Sequence, residues 1–242
     1  MVFRDMKILS HILNYIYPPR CISCSELMQE TGGFCGTCWA QLNFITTPYC
    51  RICCFEFSFD PGEGNDICLK CNTTPPSYDI ARSALRFDEH SKKLVHGLKY
   101  HDSTFVASNF AKIIVNMHKE IISDADFIIP VPMHKWKRLF RLYNQSQILA
   151  SNISKETGVT MLSDVLMKIK HTKSQTGLSQ KQRQENLKGS IAVVKKDVIK
   201  GKKIILVDDV MTTGSTVDLC AVKLKNAGAK EVIVMCIART SI

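Results

Sequence analysis

The residues with the plainest chemical purpose are cysteines near one end of the chain and two adjacent acids near the other. Eight of the eleven cysteines form four C-x-x-C pairs: Cys21/Cys24, Cys35/Cys38, Cys50/Cys53 and Cys68/Cys71. A C-x-x-C turn aims two thiolates at one point, and two such turns complete a tetrahedral Zn²⁺ site whose binding energy can fold a short, loop-rich segment. Four thiolates leave no open position for a catalytic water, so two zinc ions here would be structural. The stretch Lys203 to Thr216 reads K-I-I-L-V-D-D-V-M-T-T-G-S-T, an apolar run that ends in Asp208 and Asp209 and then a hydroxyl-rich bend around Gly214. Carboxylates accept hydrogen bonds from sugar hydroxyls. Loop amides with the hydroxyls of Thr212, Thr213, Ser215 and Thr216 can cradle a phosphate.

Spacing places the knuckles in sequence order, Cys21, Cys24, Cys35 and Cys38 at one metal and Cys50, Cys53, Cys68 and Cys71 at the other; interleaved pairing is also geometrically open. Disulfides would require an oxidising compartment. Arg4, Asp5, Lys7 and His11 interrupt the apolar residues at the start and no cleavage pattern follows, so no secretory signal is read and a cytoplasmic protein is expected. Redox chemistry is disfavoured by four copies of the motif without thioredoxin-like surroundings. Cys54 is supernumerary, and Cys220 and Cys236 sit in apolar segments as buried hydrophobes.

These groups must be positioned by the elements around them. Ile8, Leu9, Ile12, Leu13 and Ile16 share a helical face before Pro18 and Pro19. Residues 60–77 are rich in Gly, Pro, Thr and Asn and offer little to bury without metal. The expected organisation is a helix and double zinc ribbon over 1–78, followed by an α/β domain over 79–242. In the latter, the run from Lys203 is a buried strand, a helix follows over 215–226 with Gly228 as its stop, and Glu231 to Ala238 is a second strand. Strand, loop, helix and strand make a parallel βαβ unit, in which ligands sit beyond the carboxyl ends of strands and against helix N-termini. Ala125 to Pro132 predicts another strand, opening into a basic loop with His134, Lys135, Lys137, Arg138 and Arg141. A helix follows from Asn144 and Gln145 to Thr157, ended by Gly158. The cations of that loop would attract an anion or simply face water.

Charge is uneven. Residues 1–79 carry 5 Lys/Arg against 8 Asp/Glu, and residues 80–242 carry 27 against 14, within a formal net charge of +10. Between Lys168 and Lys203, 11 basic residues face 2 acidic ones, a field attractive to phosphate, nucleic acid or anionic lipid, or a solvated surface. Tyr49, Phe55, Phe57 and Phe59 could stack on bases or form the ribbon's small core. No run approaches the ~18 apolar residues of a membrane span.

The motif V-D-D-V-M-T-T-G-S-T resembles the phosphoribosyl pyrophosphate motif of type I phosphoribosyltransferases. With the cysteine ribbon, L-K-Y at Leu98 to Tyr100, P-V-P-M-H, Y-N-Q-S and the Gln/Lys-rich stretch His171 to Ile191, the chain resembles the ComF family of competence-associated proteins from Pro18 to Ala238. The resemblance implies a type I phosphoribosyltransferase fold, a mainly parallel sheet flanked by helices, preceded by the four-cysteine ribbons. It implies phosphoribosyl pyrophosphate held with Mg²⁺ by Asp208, Asp209, Val210, Met211, Thr212, Thr213, Gly214, Ser215 and Thr216, with Lys135, Arg138 and Arg141 as candidates to meet the pyrophosphate and Asp208 and Asp209 as the catalytic pair, and a role in DNA uptake and transformation. One departure matters: where 6-oxopurine transferases carry an acid three residues after the second carboxylate, this chain has Thr212, so purine transfer is disfavoured. Three functions follow: a transferase of unknown acceptor; an adaptor for single-stranded DNA and other DNA-uptake or recombination proteins; and a regulator that binds phosphoribosyl pyrophosphate without turnover.

Overall fold

The computed structural model describes residues 18–29, 33–62, 64–97, 103–133, 143–169 and 189–241. The chain forms two compact units, residues 1–42 and 43–242. The second pair of knuckles therefore shares a unit with the sheet that follows it.

Within each unit the knuckles are built on the same local plan. In the first, Cys21 N–H donates to Glu26 O (2.8 Å), Ser25 N–H to Cys21 O (2.9 Å) and Met28 N–H to Pro19 O (2.8 Å). In the second, Cys50 N–H donates to Phe55 O (2.7 Å), Cys54 N–H to Cys50 O (2.8 Å) and Phe57 N–H to Pro48 O (3.0 Å). The residue after each first knuckle takes positive φ, Ser25 at 64° and Cys54 at 59°, which turns the chain back on itself. Each partner knuckle opens a five-residue helix, α1 (Gly36–Ala40) after Cys35 and α2 (Leu69–Thr73) after Cys68. The ribbons are a structural repeat.

The remainder of the larger unit is an α/β fold. Its strands are β1 (Ile80–Arg86), β2 (Phe127–Pro130), β3 (Thr160–Met161), β4 (Leu166–Lys168), β5 (Ile191–Val193), β6 (Lys203–Met211) and β7 (Glu231–Arg239). Its helices are α3 (Glu89–Gly97), α4 (Ser103–Ser123), α5 (Gln145–Thr157), α6 (Lys196–Ile199) and α7 (Ser215–Asn226). Five strands form one sheet in the order β1-β7-β6-β2-β3, every pairing parallel, and β4 and β5 form an antiparallel pair. Ile204 to Val207 and Val232 to Ala238 are buried without alternation, as strands covered on both faces must be. Ile204, Leu206, Val232, Val234 and Cys236 pack with Val217, Cys220, Ala221 and Leu224 of α7, so both outlying cysteines are core hydrophobes.

The strand order matters for function. From β2 the chain proceeds through α5 to β3 at one edge, whereas from β6 it proceeds through α7 to β7 on the other side. β2 and β6 are neighbours whose exits diverge, leaving a crevice at their carboxyl ends where ligands of open parallel sheets bind. α5 ends as its sequence dictates, with Gly158 in the left-handed region at φ 77°. The stretch read as a strand over 125–132 is regular only from Phe127 to Pro130, since Ala125 and Asp126 serve as its turn and the chain leaves the sheet after Val131. The expected N-terminal helix and the L-K-Y element lie outside the described residues.

Candidate functional site

Each four-cysteine set converges. The sulfurs of Cys21, Cys24, Cys35 and Cys38 lie within 4.8 Å of one another, as do those of Cys50, Cys53, Cys68 and Cys71, which is the arrangement in sequence order. Zinc holding four sulfurs at ~2.3 Å sets them about 3.8 Å apart. The Cys24–Cys35 and Cys53–Cys68 sulfurs are each 3.7 Å apart, far beyond a disulfide bond, and all eleven cysteines are free thiols. Backbone N–H groups point at the sulfurs, Cys35 to Cys21 Sγ and Cys68 to Cys50 Sγ, both 3.3 Å, favouring the thiolate form a metal requires. The donor set and its spacing fit structural zinc at both places. Cys54 stands apart, its buried thiol directed at Ser83 O (3.9 Å).

The acids sit at the carboxyl end of β6, beside the crevice. Asp208 is half-buried and accepts hydrogen bonds from Ser146 Oγ of α5 (2.9 Å) and from Asp209 N–H (3.0 Å). Burial and then the neighbouring Asp209 carboxylate push the Asp208 carboxyl up to about 8, against those two bonds. Asp209 accepts from Val210 N–H (2.7 Å). α5 is held at the same place, because Asn144 Nδ2 donates to Val131 O (3.0 Å), where β2 leaves the sheet.

The bend follows directly. β6 runs on through Val210 and Met211, so the turn is confined to Thr212, Thr213 and Gly214 rather than starting after Asp209; pairing of Val210 with Ala238 and Met211 with Arg239 prolongs the strand. Met211 is buried, Thr212 exposed, and Thr213, Gly214, Ser215 and Thr216 half-buried. Gly214 adopts φ 80° as the residue before α7, and a Cβ there would meet Met211 Cε at 3.0 Å. Thr213 Oγ1 and Ser215 Oγ share a hydrogen bond (2.9 Å), and Ser215 N–H donates to Thr213 Oγ1 (3.4 Å). The arrangement is a helix N-terminus reached through a glycine, with acids behind it: amides for an anion, carboxylates for hydroxyls.

Sequence reasoning brought Asp208, Asp209 and the bend to one place but missed Ser146, Lys70 and Arg239. Ser146 carried a signal as part of Y-N-Q-S. Lys70 and Arg239 carried none, since each acts across more than a hundred residues: Lys70 Nζ donates to Thr213 O (3.0 Å) and Arg239 Nη2 to Cys53 Sγ (3.4 Å). His134, Lys135, Lys137, Arg138 and Arg141 lie outside the described residues, as does 171–188 of the Gln/Lys-rich stretch. Of the described cations in the basic run from Lys168 to Lys203, Lys195 pairs with Asp164, Lys202 with Asp126 (2.9 Å) and Lys203 with Asp124, so these three serve the fold. Among the four aromatics, Phe55 and Phe57 pack edge to face at 6.2 Å and Tyr49 lies under the Arg82 guanidinium at 5.2 Å, whereas Phe59 is 70% exposed.

Comparison with known proteins agrees with this anatomy. Residues 12–74 match the double zinc ribbon domain and residues 144–241 the phosphoribosyl transferase domain. The chain is 29% identical over 229 residues to competence protein F of Haemophilus influenzae, covering 91% of this chain and 96% of that one. It is 26% identical over 231 residues to DNA utilization protein YhgH of Salmonella typhi, covering 88% and 100%. Among solved structures, glutamine phosphoribosylpyrophosphate amidotransferase from B. subtilis aligns with 56% of this chain and 27% of its own length, at 24% identity and TM-score 0.38. No helix among the described residues is long and apolar enough to cross a membrane.

Proposed function

The chain is a ComF-family protein, a double zinc ribbon joined to a phosphoribosyltransferase domain, and on that premise we propose that it binds phosphoribosyl pyrophosphate with Mg²⁺ as a transferase-like component of DNA uptake and transformation. The observation that carries the reading is the β2/β6 crevice, where Asp208 and Asp209 stand directly behind a glycine-led helix N-terminus.

In this reading the amides and hydroxyls of Thr212 to Thr216 hold the 5′-phosphate, with Val210 and Met211 fixing the bend, and the two carboxylates accept the ribose hydroxyls. Ser146 orients the Asp208 carboxyl. Lys135, Arg138 and Arg141, which follow β2 in the sequence, meet the pyrophosphate. Hard carboxylate oxygens suit Mg²⁺, which when bound supplies positive charge against the diphosphate. Bond breaking at the anomeric carbon develops negative charge on the leaving pyrophosphate, which fixed cations stabilise. The DNA role carried in the relatives' names is exercised in the cytoplasm on single-stranded DNA and with DNA-uptake or recombination proteins, Phe59 being an exposed aromatic for base stacking.

Isothermal titration with phosphoribosyl pyrophosphate and Mg²⁺ tests the site. Saturable binding that disappears in the Asp208→Ala/Asp209→Ala double variant is expected. Undetectable binding, or binding that the double variant leaves unchanged, removes the proposal. Pyrophosphate release across a panel of nucleobases and amines then separates a transferase from a ligand-binding regulator.

A further inference from the structure

An anion-binding bend must turn its amides toward the ligand and its carbonyls away, and a carbonyl turned away needs a partner of its own. In this protein that partner comes from the second zinc ribbon. Thr213, the residue before Gly214, has its carbonyl capped by the ammonium of Lys70 at 3.0 Å, and Lys70 lies between Cys68 and Cys71 in the knuckle that completes the second four-sulfur site. Knuckle and bend border one hollow of about 80 Å³, lined by Lys70 and Cys71 on one side and by Thr213, Gly214 and Ser215 on the other.

The ribbon also holds the flanks of the bend. After it, Asp218 of α7 accepts a hydrogen bond from Ser77 N–H at 2.6 Å. Before it, Met211 O accepts from Thr240 N–H at 3.1 Å, and the preceding residue, Arg239, sends Nη2 to the Cys53 sulfur at 3.4 Å. Arg239 is 4% exposed, and its Nε and Nη1 find no acceptor among the described residues. A buried guanidinium needs negative charge close by, and four thiolates on zinc carry a net charge of two minus. Arg239, hydrogen-bonded to Cys53, sets positive charge against it, while Lys70 joins the knuckle to the bend. With Met211 and Asp218 fixed by neighbours, the Thr213 carbonyl is the group inside the bend whose direction depends on one side chain.

We propose that Lys70 is a positioning residue of the phosphoribosyl site: held by the Cys68–Cys71 knuckle, it fixes the Thr213 carbonyl so that the amides leading into α7 face the ligand's phosphate. The zinc ribbon is in this sense part of the ligand site. The inference rests on the phosphoribosyl reading above.

Its test is titration of the full chain with ribose 5-phosphate, together with metal analysis. Lys70→Met keeps the length and apolar stem of the side chain but removes the donor. It is expected to weaken ribose 5-phosphate about tenfold, the size of one charged hydrogen bond, with two zinc ions still bound per chain. Lys70→Arg, which restores a cationic donor, is expected to recover most of the affinity, a rescue that loss of packing alone would not give. Should Lys70→Met fail to fold, Lys70→Gln is judged by the same criterion. Wild-type affinity in a folded, zinc-replete neutral variant overturns the inference and leaves the phosphoribosyl reading standing; absence of ribose 5-phosphate binding to the wild-type chain removes that reading and the inference together.

Discussion

Asp208 is the residue on which the proposed chemistry turns, and its protonation can be followed from outside. Its carboxyl is held near 8 by burial and by Asp209, so the ligand-free protein near neutrality carries it largely protonated. Hydrogen bonds donated by ribose hydroxyls favour the ionised carboxylate, so binding is expected to release a proton. Ribose 5-phosphate affinity is therefore expected to rise between pH 6 and pH 8, and calorimetry in buffers of different ionisation enthalpy should register proton release. Folding is linked with the opposite sign. A folded pKa above the unfolded one gives stability that is complete below about pH 4 and is lost as pH rises through about 8. Asp208→Asn is thus expected to flatten the fall in melting temperature between about pH 5 and pH 8, and an unaltered fall would show that another group is responsible.

The strand β6, the helix α7 and the ribbons were legible because each carries its signal locally. An unbroken apolar run marks a doubly covered strand, Gly158 and Gly228 mark helix ends, and C-x-x-C spacing marks a metal turn. Where β6 stops was not legible, since pairing with β7 carries Val210 and Met211 into the strand. Nor was the full likeness of the two ribbons, which extends beyond the repeated C-x-x-C pairs to their backbone hydrogen bonds. The two ribbons also part company in the fold, the first within residues 1–42 and the second within residues 43–242. Their metals should therefore be separable. Cys24→Ser is expected to leave one zinc per chain with ribose 5-phosphate binding intact, whereas Cys71→Ser leaves one zinc and weakens binding by tenfold or more. Metal analysis beside titration checks both, and equal effects of the two substitutions would contradict the assignment.

At the scale of the molecule, the strand order of a parallel sheet reverses between β2 and β6, and the second ribbon is built against the bend beside that switch point. The sheet supplies acids and a helix N-terminus; the zinc knuckle supplies the rigidity that a three-residue turn lacks. No single-sequence pattern announces such a union, because Lys70 and Thr213 are 143 residues apart. A ¹H–¹⁵N NMR titration with ribose 5-phosphate locates the ligand most directly. The account predicts that the largest amide shifts fall on Thr212 to Thr216, with smaller ones on Ser146 and Lys70. A saturable titration that leaves those five amides in place while shifting others would contradict it.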